Sequence, residues 1–229
     1  TNAYIPELDG TAELDAEGTQ YYQELIGILR WATEIGRVDI VTELSMMSQY
    51  QASPRQGHLQ EVLHIFAFLK RKPKLTLYFD PAEPQLDEDA FENNAEEFLE
   101  HYRDAAEELP ARMPKPRGRP VPTTAFMDAS HAANKKTRRS HTGYLIFVNR
   151  APIIWYSKRQ QTVESSSFSA EFVAMRGCME RIQLIRLKLR MVGVPNQRET
   201  RVFCDNEAVV QKSSRFESST NKNCLVYNI

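Results

Sequence analysis

Three carboxylates stand where a sheet and a helix could bring them together. Asp128 ends the apolar run TTAFM, Asp205 ends the run RVFC, and Glu171 lies one turn into a long segment of helical period. A carboxylate at a strand end and one on the first turn of a helix that covers the sheet can converge on one point. Carboxylate oxygens are the ligands that Mg²⁺ prefers. Two such ions can activate a water and stabilise the leaving oxygen in phosphodiester hydrolysis.

Each of these carboxylates also has a plainer explanation. An Asp at the end of a strand is commonly a turn former or a helix cap. A Glu in the first turn of a helix is favoured by the helix dipole. The metal-site interpretation of Asp128, Glu171 and Asp205 therefore depends on the motifs that surround them.

The charges are unevenly distributed, although the net charge is only −1. Residues 80–108 carry twelve acidic side chains and one basic one, whereas residues 110–160 carry eleven basic side chains and one acidic one, Asp128. A basic stretch of this kind favours a polyanion partner. Phosphate contacts from such groups give sequence-independent, salt-sensitive binding. The candidate contacts are Lys135, Lys136, Arg138, Arg139, Lys158 and Arg159. The alternative is two solvated surfaces that offset each other.

Periodicity predicts three regions. Residues 1–80 are predicted to be mainly helical, with an apolar stripe of Tyr21, Leu25, Ile28 and Ala32 and a short strand at 74–79. Residues 81–120 are predicted to form an acidic helix and then a linker, PARMPKPRGRPVP, with five prolines in thirteen residues. Residues 121–229 are predicted to form a second domain.

The second domain is predicted to be an α/β (α+β) fold with the order β-β-β-α-β-α. Strands are predicted at 123–127, 142–149, 152–157 and 201–204, with a long helix at 167–192 and a further helix from 206. The first three strands are predicted to be antiparallel because short polar segments join them. A strand that is reached through a helix pairs in parallel by a right-handed crossover. The sequence therefore predicts a mixed sheet with helices packed on it.

Composition excludes several classes of protein. The chain has 229 residues, of which 41 % are apolar, and no apolar run approaches the roughly 20 residues that span a bilayer. No secretory signal is visible at the N-terminus, and the three cysteines form neither a disulfide framework nor a zinc pattern. We expect an intracellular protein, cytoplasmic or nuclear, that is not secreted. The missing initiator Met suggests an interior piece of a longer protein.

Several motifs resemble one family. The segments TTAFMDASHA, RRSHTGYLIFVNRAPIIWYSKRQQTVESSSFSAEFVAM and VFCDNEAVV are similar, in order, to the ribonuclease H domain of copia-type (Pseudoviridae) retrotransposon polyproteins, over about residues 121–212. The segments YQELIGILRWATEIGRVDI and SPRQGHLQEVLHIFAFLKRKPKLTLYF resemble the connection region that follows the polymerase active site.

The resemblance implies a ribonuclease H-like fold that cleaves the RNA strand of an RNA–DNA hybrid with two Mg²⁺ or Mn²⁺ ions. Asp128, Glu171 and Asp205 fall on the family's first three catalytic carboxylates. The same resemblance places further side chains near the substrate backbone: Lys158, Arg159, Ser166, Ser167 and Asn206. It also implies a partner, a polymerase domain encoded upstream.

The chain also departs from the family pattern. The segment that supplies a fourth metal-site residue corresponds here to NKNCLVYNI, where Cys224 and Asn228 replace the Asp and the His. No polymerase Y-x-D-D, protease or integrase motif is present. We therefore expect a connection region and a truncated ribonuclease H domain. Three hypotheses follow: an active hybrid-specific endonuclease, an inactive relic that still folds and binds nucleic acid, and a structural connection module.

Overall fold

The computed structural model describes residues 4–86, 112–196 and 199–214. Its backbone contacts divide the chain into two compact units. The first unit contains 4–78, 129–144 and 154–170; the second contains the described residues of 79–128, 145–153 and 171–214. Two predicted features lie outside the described residues, namely most of the acidic helix and the segment with Cys224 and Asn228.

The first unit contains three helices, α1 (Ala16–Glu34), α2 (Val41–Met47) and α3 (Gln56–Arg71). The side chain of Asp15 caps α1 by accepting a hydrogen bond from the backbone N–H of Gly18 at 2.8 Å. The buried hydroxyl of Tyr22 donates to the carbonyl of Met47 at 2.8 Å. The helices pack around one apolar cluster: Tyr22, Leu25, Ile26, Leu29, Ile40, Leu44, Met47, Val62 and Ile65.

The predicted apolar stripe of α1 is partly wrong. Leu25 is buried, but Tyr21 and Ile28 are 47 % and 54 % exposed. The core side chains of α1 are instead Tyr22, Leu25, Ile26 and Leu29. Tyr21-Tyr22 and Ile28-Leu29 are adjacent apolar pairs, so two overlapping stripes satisfy the helical period, and only packing against α2 and α3 selects one.

The strand predicted at 74–79 is also wrong. These residues belong to no strand, and the large apolar side chains Leu75, Tyr78 and Phe79 are 40 %, 76 % and 62 % exposed. A strand needs a neighbour for its backbone hydrogen bonds, and no described strand pairs with this segment.

The described strands form a four-stranded sheet in the order β3-β2-β1-β4. The strands are β1 (Thr123–Ser130), β2 (His141–Val148), β3 (Ala151–Arg159) and β4 (Arg201–Phe203), and the accompanying helices are α4 (Ser167–Met191) and α5 (Glu207–Ser214). The prediction of a mixed sheet accompanied by helices is confirmed. The predicted ends are less accurate, since β1 continues to Ser130 and Asp128 therefore lies inside the strand.

The strand directions follow from the connections. Two residues join β2 to β3, which forces an antiparallel pair. β4 is reached through α4 and pairs in parallel with β1, with Phe126 opposite Phe203. The rings of these two residues stack with centroids 4.8 Å apart and an interplanar angle of 10°.

Helix α4 buries a stripe of mostly small side chains. The buried apolar residues are Ala170, Ala174, Cys178, Ile182 and Ile185, at steps of three and four. Gly193 follows the helix with a φ of +78°, a left-handed conformation that glycine adopts without strain. In the described part of the chain, no helix is long and apolar enough to cross a membrane.

Candidate functional site

The parallel pair β1–β4 sets the positions of two of the predicted carboxylates. Phe126 lies opposite Phe203, and each is followed two residues later by an aspartate, Asp128 and Asp205. The carboxyl ends of neighbouring parallel strands meet at the same edge of a sheet. Asp128 and Asp205 therefore share the edge where β4 ends, and both are exposed.

Three donor side chains converge beside the end of β4. A carboxylate oxygen of Glu171, the Sγ of Cys204 and a carboxylate oxygen of Asp205 all lie within 4.8 Å of one another. Glu171, in the first turns of α4, is only 5 % exposed, Cys204 is half-buried and Asp205 is exposed. We call Glu171, Cys204 and Asp205 the donor cluster. It contains two of the three predicted metal ligands.

Asp128 is not a member of the donor cluster, although its negative charge affects Cys204, which is one. Burial raises the pKa of the Cys204 thiol, and the negative charges of Glu171, Asp205 and Asp128 raise it further, while a hydrogen bond from the backbone of Asn206 opposes them. All three predicted carboxylates therefore lie close enough to influence one sulfur atom.

The donor cluster suits a hard cation through its carboxylates and not through its thiol. Carboxylate oxygens are preferred by Mg²⁺ and Mn²⁺, whereas sulfur selects softer metals. The raised pKa of Cys204 keeps its sulfur protonated and neutral near neutral pH. Glu171 and Asp205 can hold the cation, and Asp128 lies at the same sheet edge. Cys204 is the residue that our sequence analysis missed, and its place next to Asp205 in VFCDN was the available signal.

The predicted substrate-backbone residues occupy two different places. Arg139, Lys158 and Arg159 line a common groove in the first unit. Lys135, Lys136 and Arg138 lie on the exposed loop between β1 and β2. The backbone N–H of Lys135 donates to the carboxylate of Glu7 at 2.6 Å, and Arg138 has a φ of +58°.

Two of the predicted polar contacts are helix caps. The hydroxyl of Ser166 accepts from the backbone N–H of Ser169 at 3.1 Å before α4, and the amide oxygen of Asn206 accepts from Val209 at 3.3 Å before α5. Ser167 is the exposed first residue of α4. The caps account for Ser166 and Asn206 without a substrate.

Comparison with known proteins finds relatives in the family that the sequence motifs resemble. The chain is 25 % identical over 185 residues to the retrovirus-related Pol polyprotein from transposon RE1 of Arabidopsis thaliana, covering 81 % of the chain and 10 % of the polyprotein. It is 23 % identical over 201 residues to the corresponding polyprotein from transposon TNT 1-94 of Nicotiana tabacum, covering 87 % of the chain and 12 % of that protein. The chain is a relative of copia-type retrotransposon Pol polyproteins.

This relationship concerns a small part of those polyproteins, since the chain spans about a tenth of the length of the two Pol relatives. Another relative is the secreted RxLR effector protein 161 of Plasmopara viticola, which is 21 % identical over 67 % of the chain and 83 % of its own length. No protein-family model matches the chain, and no solved structure matches it.

Proposed function

We propose that this Pol-related chain is a divalent-metal-dependent endonuclease that cleaves RNA in RNA–DNA hybrids. The observation that carries the proposal is the donor cluster, which gathers the carboxylates of Glu171 and Asp205 within 4.8 Å beside the edge that carries Asp128. The relationship to retrotransposon Pol polyproteins supports nucleic acid as the substrate class.

Each of the three carboxylates has a role as a metal ligand in this proposal. Glu171 and Asp205 would hold the cations through oxygen, and Asp128 would add a third carboxylate from β1. Two Mg²⁺ or Mn²⁺ ions bound there would activate the attacking water and stabilise the leaving oxygen. Burial of Glu171 fixes one ligand in place, while exposed Asp128 and Asp205 leave the site open to a phosphodiester. The neutral thiol of Cys204 adds no further negative charge.

We also propose two partners for this chain. An RNA–DNA hybrid is the substrate, and a polymerase domain encoded upstream in the polyprotein is the protein partner. The basic side chains of the β1–β2 loop and of the groove in the first unit supply the phosphate contacts.

The test is cleavage of a labelled RNA–DNA hybrid by the purified chain, first in Mg²⁺ and then in Mn²⁺. Asp128→Asn and Glu171→Gln are expected to abolish cleavage because each removes a ligand charge. Glu180→Gln is the matched control, since Glu180 is an exposed carboxylate of α4 that pairs with Arg176 at 3.1 Å. Loss of cleavage in Glu180→Gln as well would contradict the assignment.

A second candidate is a chain that binds nucleic acid and does not cleave it. The position of Asp128 outside the donor cluster favours this candidate, because fewer than three carboxylates then converge. Binding of Mn²⁺, followed by electron paramagnetic resonance, separates the two. An active site binds Mn²⁺ in the wild type and less tightly in Glu171→Gln, whereas hybrid binding with neither Mn²⁺ binding nor cleavage identifies the second candidate.

A further inference from the structure

The helical part of the first unit contains a cavity of about 430 Å³. Its walls come from the N-terminal segment, the turn Val38–Ile40, and helices α2 and α3. We call it the α2–α3 pocket. It contains none of the carboxylates of the proposed metal site and shares no lining residue with the basic groove. Its volume is typical of pockets that take small ligands.

Most of the lining of the α2–α3 pocket is apolar or aromatic. Ile40, Met47 and Ile65 are buried members of the helical core, so part of the wall is core surface. The other apolar and aromatic residues of the lining are Tyr4, Pro6, Met46 and Phe68. Tyr4 and Met46 are 38 % and 36 % exposed, which leaves apolar surface in contact with water. A ligand with an apolar body removes that surface from water.

The charged side chains of the lining are acidic. They are Asp39, Glu43 and Glu61, and no Lys or Arg is present among the described residues that line the pocket. Asp39 is already paired, because the guanidinium of Arg37 donates to both of its carboxylate oxygens at 3.0 and 2.8 Å. Glu61 contacts the exposed imidazole of His64, whose Nδ1 lies 3.2 Å from Oε1.

Glu43 is the carboxylate of the pocket that has no such pairing. It is exposed at the start of α2, and it takes part in no ion pair among the described residues. An ionised carboxylate forms its strongest hydrogen bonds with cationic donors. The aromatic rings of Tyr4 and Phe68 line the same pocket, and aromatic faces attract organic cations. The hydroxyl of Tyr4 donates to Asp9, which holds this ring in place.

We propose that the α2–α3 pocket binds a small organic cation with an apolar body, of the class of aryl- and alkylamines. The apolar body packs against Ile40, Met46 and Phe68, and the ammonium group donates to Glu43. An anion is excluded because the lining already carries three carboxylates. This inference goes beyond the proposed function and needs neither a metal ion nor nucleic acid.

The experiment compares three probes that share one apolar body and differ in charge: phenylbutylamine, phenylbutanol and phenylbutyrate. Isothermal titration calorimetry measures their binding to the full chain at about 0.15 M salt. We expect the amine to bind more tightly than the alcohol and phenylbutyrate to bind least. Equal affinity of the amine and the alcohol, or binding of none of the three, would overturn the inference. Stronger binding of an oligolysine peptide than of the amine would also overturn it, since the site would then fit a protein partner.

Glu43→Gln is expected to weaken binding of phenylbutylamine about fivefold, the effect of losing one charged contact at a partly exposed site. Binding of phenylbutanol is expected to stay the same, which shows that the pocket is intact. Glu24→Gln is the matched control, because Glu24 is an exposed glutamate of α1 that does not line the pocket. Equal losses of amine affinity in Glu43→Gln and Glu24→Gln would contradict the assignment.

A second pair of variants reverses the charge preference of the pocket. Met46→Lys adds a cation to the wall and is expected to reduce amine binding at least tenfold while it strengthens binding of phenylbutyrate. Leu63→Lys is the matched control, because Leu63 is a 42 % exposed residue of α3 outside the pocket. Preferences of Met46→Lys that equal those of Leu63→Lys would place the binding site elsewhere and overturn the inference.

Discussion

At the scale of single residues, the three predicted carboxylates all influence one sulfur atom, that of Cys204. The thiol of Cys204 is half-buried beside Glu171 and Asp205, and the charge of Asp128 also acts on it. A protein normally avoids placing like charges together, because each disfavours ionisation of the others. The cation proposed above would offset this repulsion between Glu171, Asp205 and the nearby Asp128.

Cys204 can report this convergence without any activity measurement. Negative charge disfavours the thiolate, so Asp128→Asn, Glu171→Gln and Asp205→Asn are each expected to lower the pKa of Cys204 and to speed its alkylation by iodoacetamide at mildly alkaline pH. Peptide mass spectrometry follows Cys204 separately from Cys178, which is buried with its pKa raised to about 12. Glu180→Gln controls for loss of a carboxylate elsewhere on α4. An unchanged rate in all three variants would mean that the carboxylates do not converge.

His141 predicts a pH dependence of stability. Its Nε2 lies 2.8 Å from the Ser157 hydroxyl and 3.3 Å from that of Ser45, and burial, with a smaller contribution from Arg159, lowers the pKa of His141 below its usual 6.5. The folded chain therefore binds this proton less readily than the unfolded chain. The associated stability is present above pH 6.5 and is lost as pH falls through the folded pKa.

The measurement is the urea midpoint between about pH 7 and about pH 5 for the wild type and for His141→Gln. The wild type is expected to lose more stability over this range than the variant does. His131→Gln, which removes an exposed imidazole from the β1–β2 loop, is the matched control. Parallel curves for the wild type and His141→Gln would contradict the assignment.

At the scale of elements, sequence analysis found the helices and the paired strands but not all of their faces and ends. The β-branched and aromatic residues of TGYLIFV and PIIWYS and the short link between them were sufficient to predict β2 and β3. Local pattern could not choose between two apolar stripes on α1, nor show that 74–79 pairs with none of the described strands. These outcomes depend on tertiary neighbours, which single-sequence periodicity does not contain.

The choice of stripe on α1 gives a paired stability prediction. Leu29 is fully buried in the helical core, and the adjacent Ile28 is 54 % exposed. Leu29→Ala is expected to lower the free energy of unfolding by about 2–5 kcal/mol because it leaves a cavity. Ile28→Ala is expected to change it by about 0.5 kcal/mol or less, as at most surface positions. Urea denaturation measures both, and equal losses would contradict the core assignment.

The proximity of Glu171 and Asp205 could be predicted from the order of strands and helices, whereas the position of Asp128 could not. Strand and helix order is enough to bring Glu171 and Asp205 together, since a parallel strand reached through a helix must end near the start of that helix. The position of Asp128 depends on where β1 ends, and the strand continues three residues beyond its predicted end at residue 127. Cap roles of Ser166 and Asn206 depend on helix starts, which sequence patterns fix only within a few residues.

At the scale of the whole molecule, the net charge is slightly negative, whereas the charge of the groove in the first unit is positive. The chain as a whole carries −1, and acidic residues dominate 80–108. The groove of the first unit is nevertheless lined by one carboxylate, Glu34, and by four cations, Arg30, Arg139, Lys158 and Arg159. Long-range attraction to a polyanion is therefore expected to be weak, and the proposed hybrid binding would come from short-range phosphate contacts in the groove.

This arrangement predicts the salt dependence of hybrid binding. If each of the four groove cations neutralises one phosphate, the slope of log affinity against log salt is about −3.6. The affinity is then expected to fall about a hundredfold between about 50 and 200 mM salt. Arg30→Gln should make the slope shallower by about one. Arg71→Gln should leave it unchanged, because Arg71 is an exposed arginine at the end of α3 that does not line the groove. Fluorescence anisotropy in EDTA measures all three slopes. A slope near zero would mean that the groove does not contact phosphates, and a much steeper slope would require basic residues outside it, with Lys135, Lys136 and Arg138 of the β1–β2 loop the first to substitute.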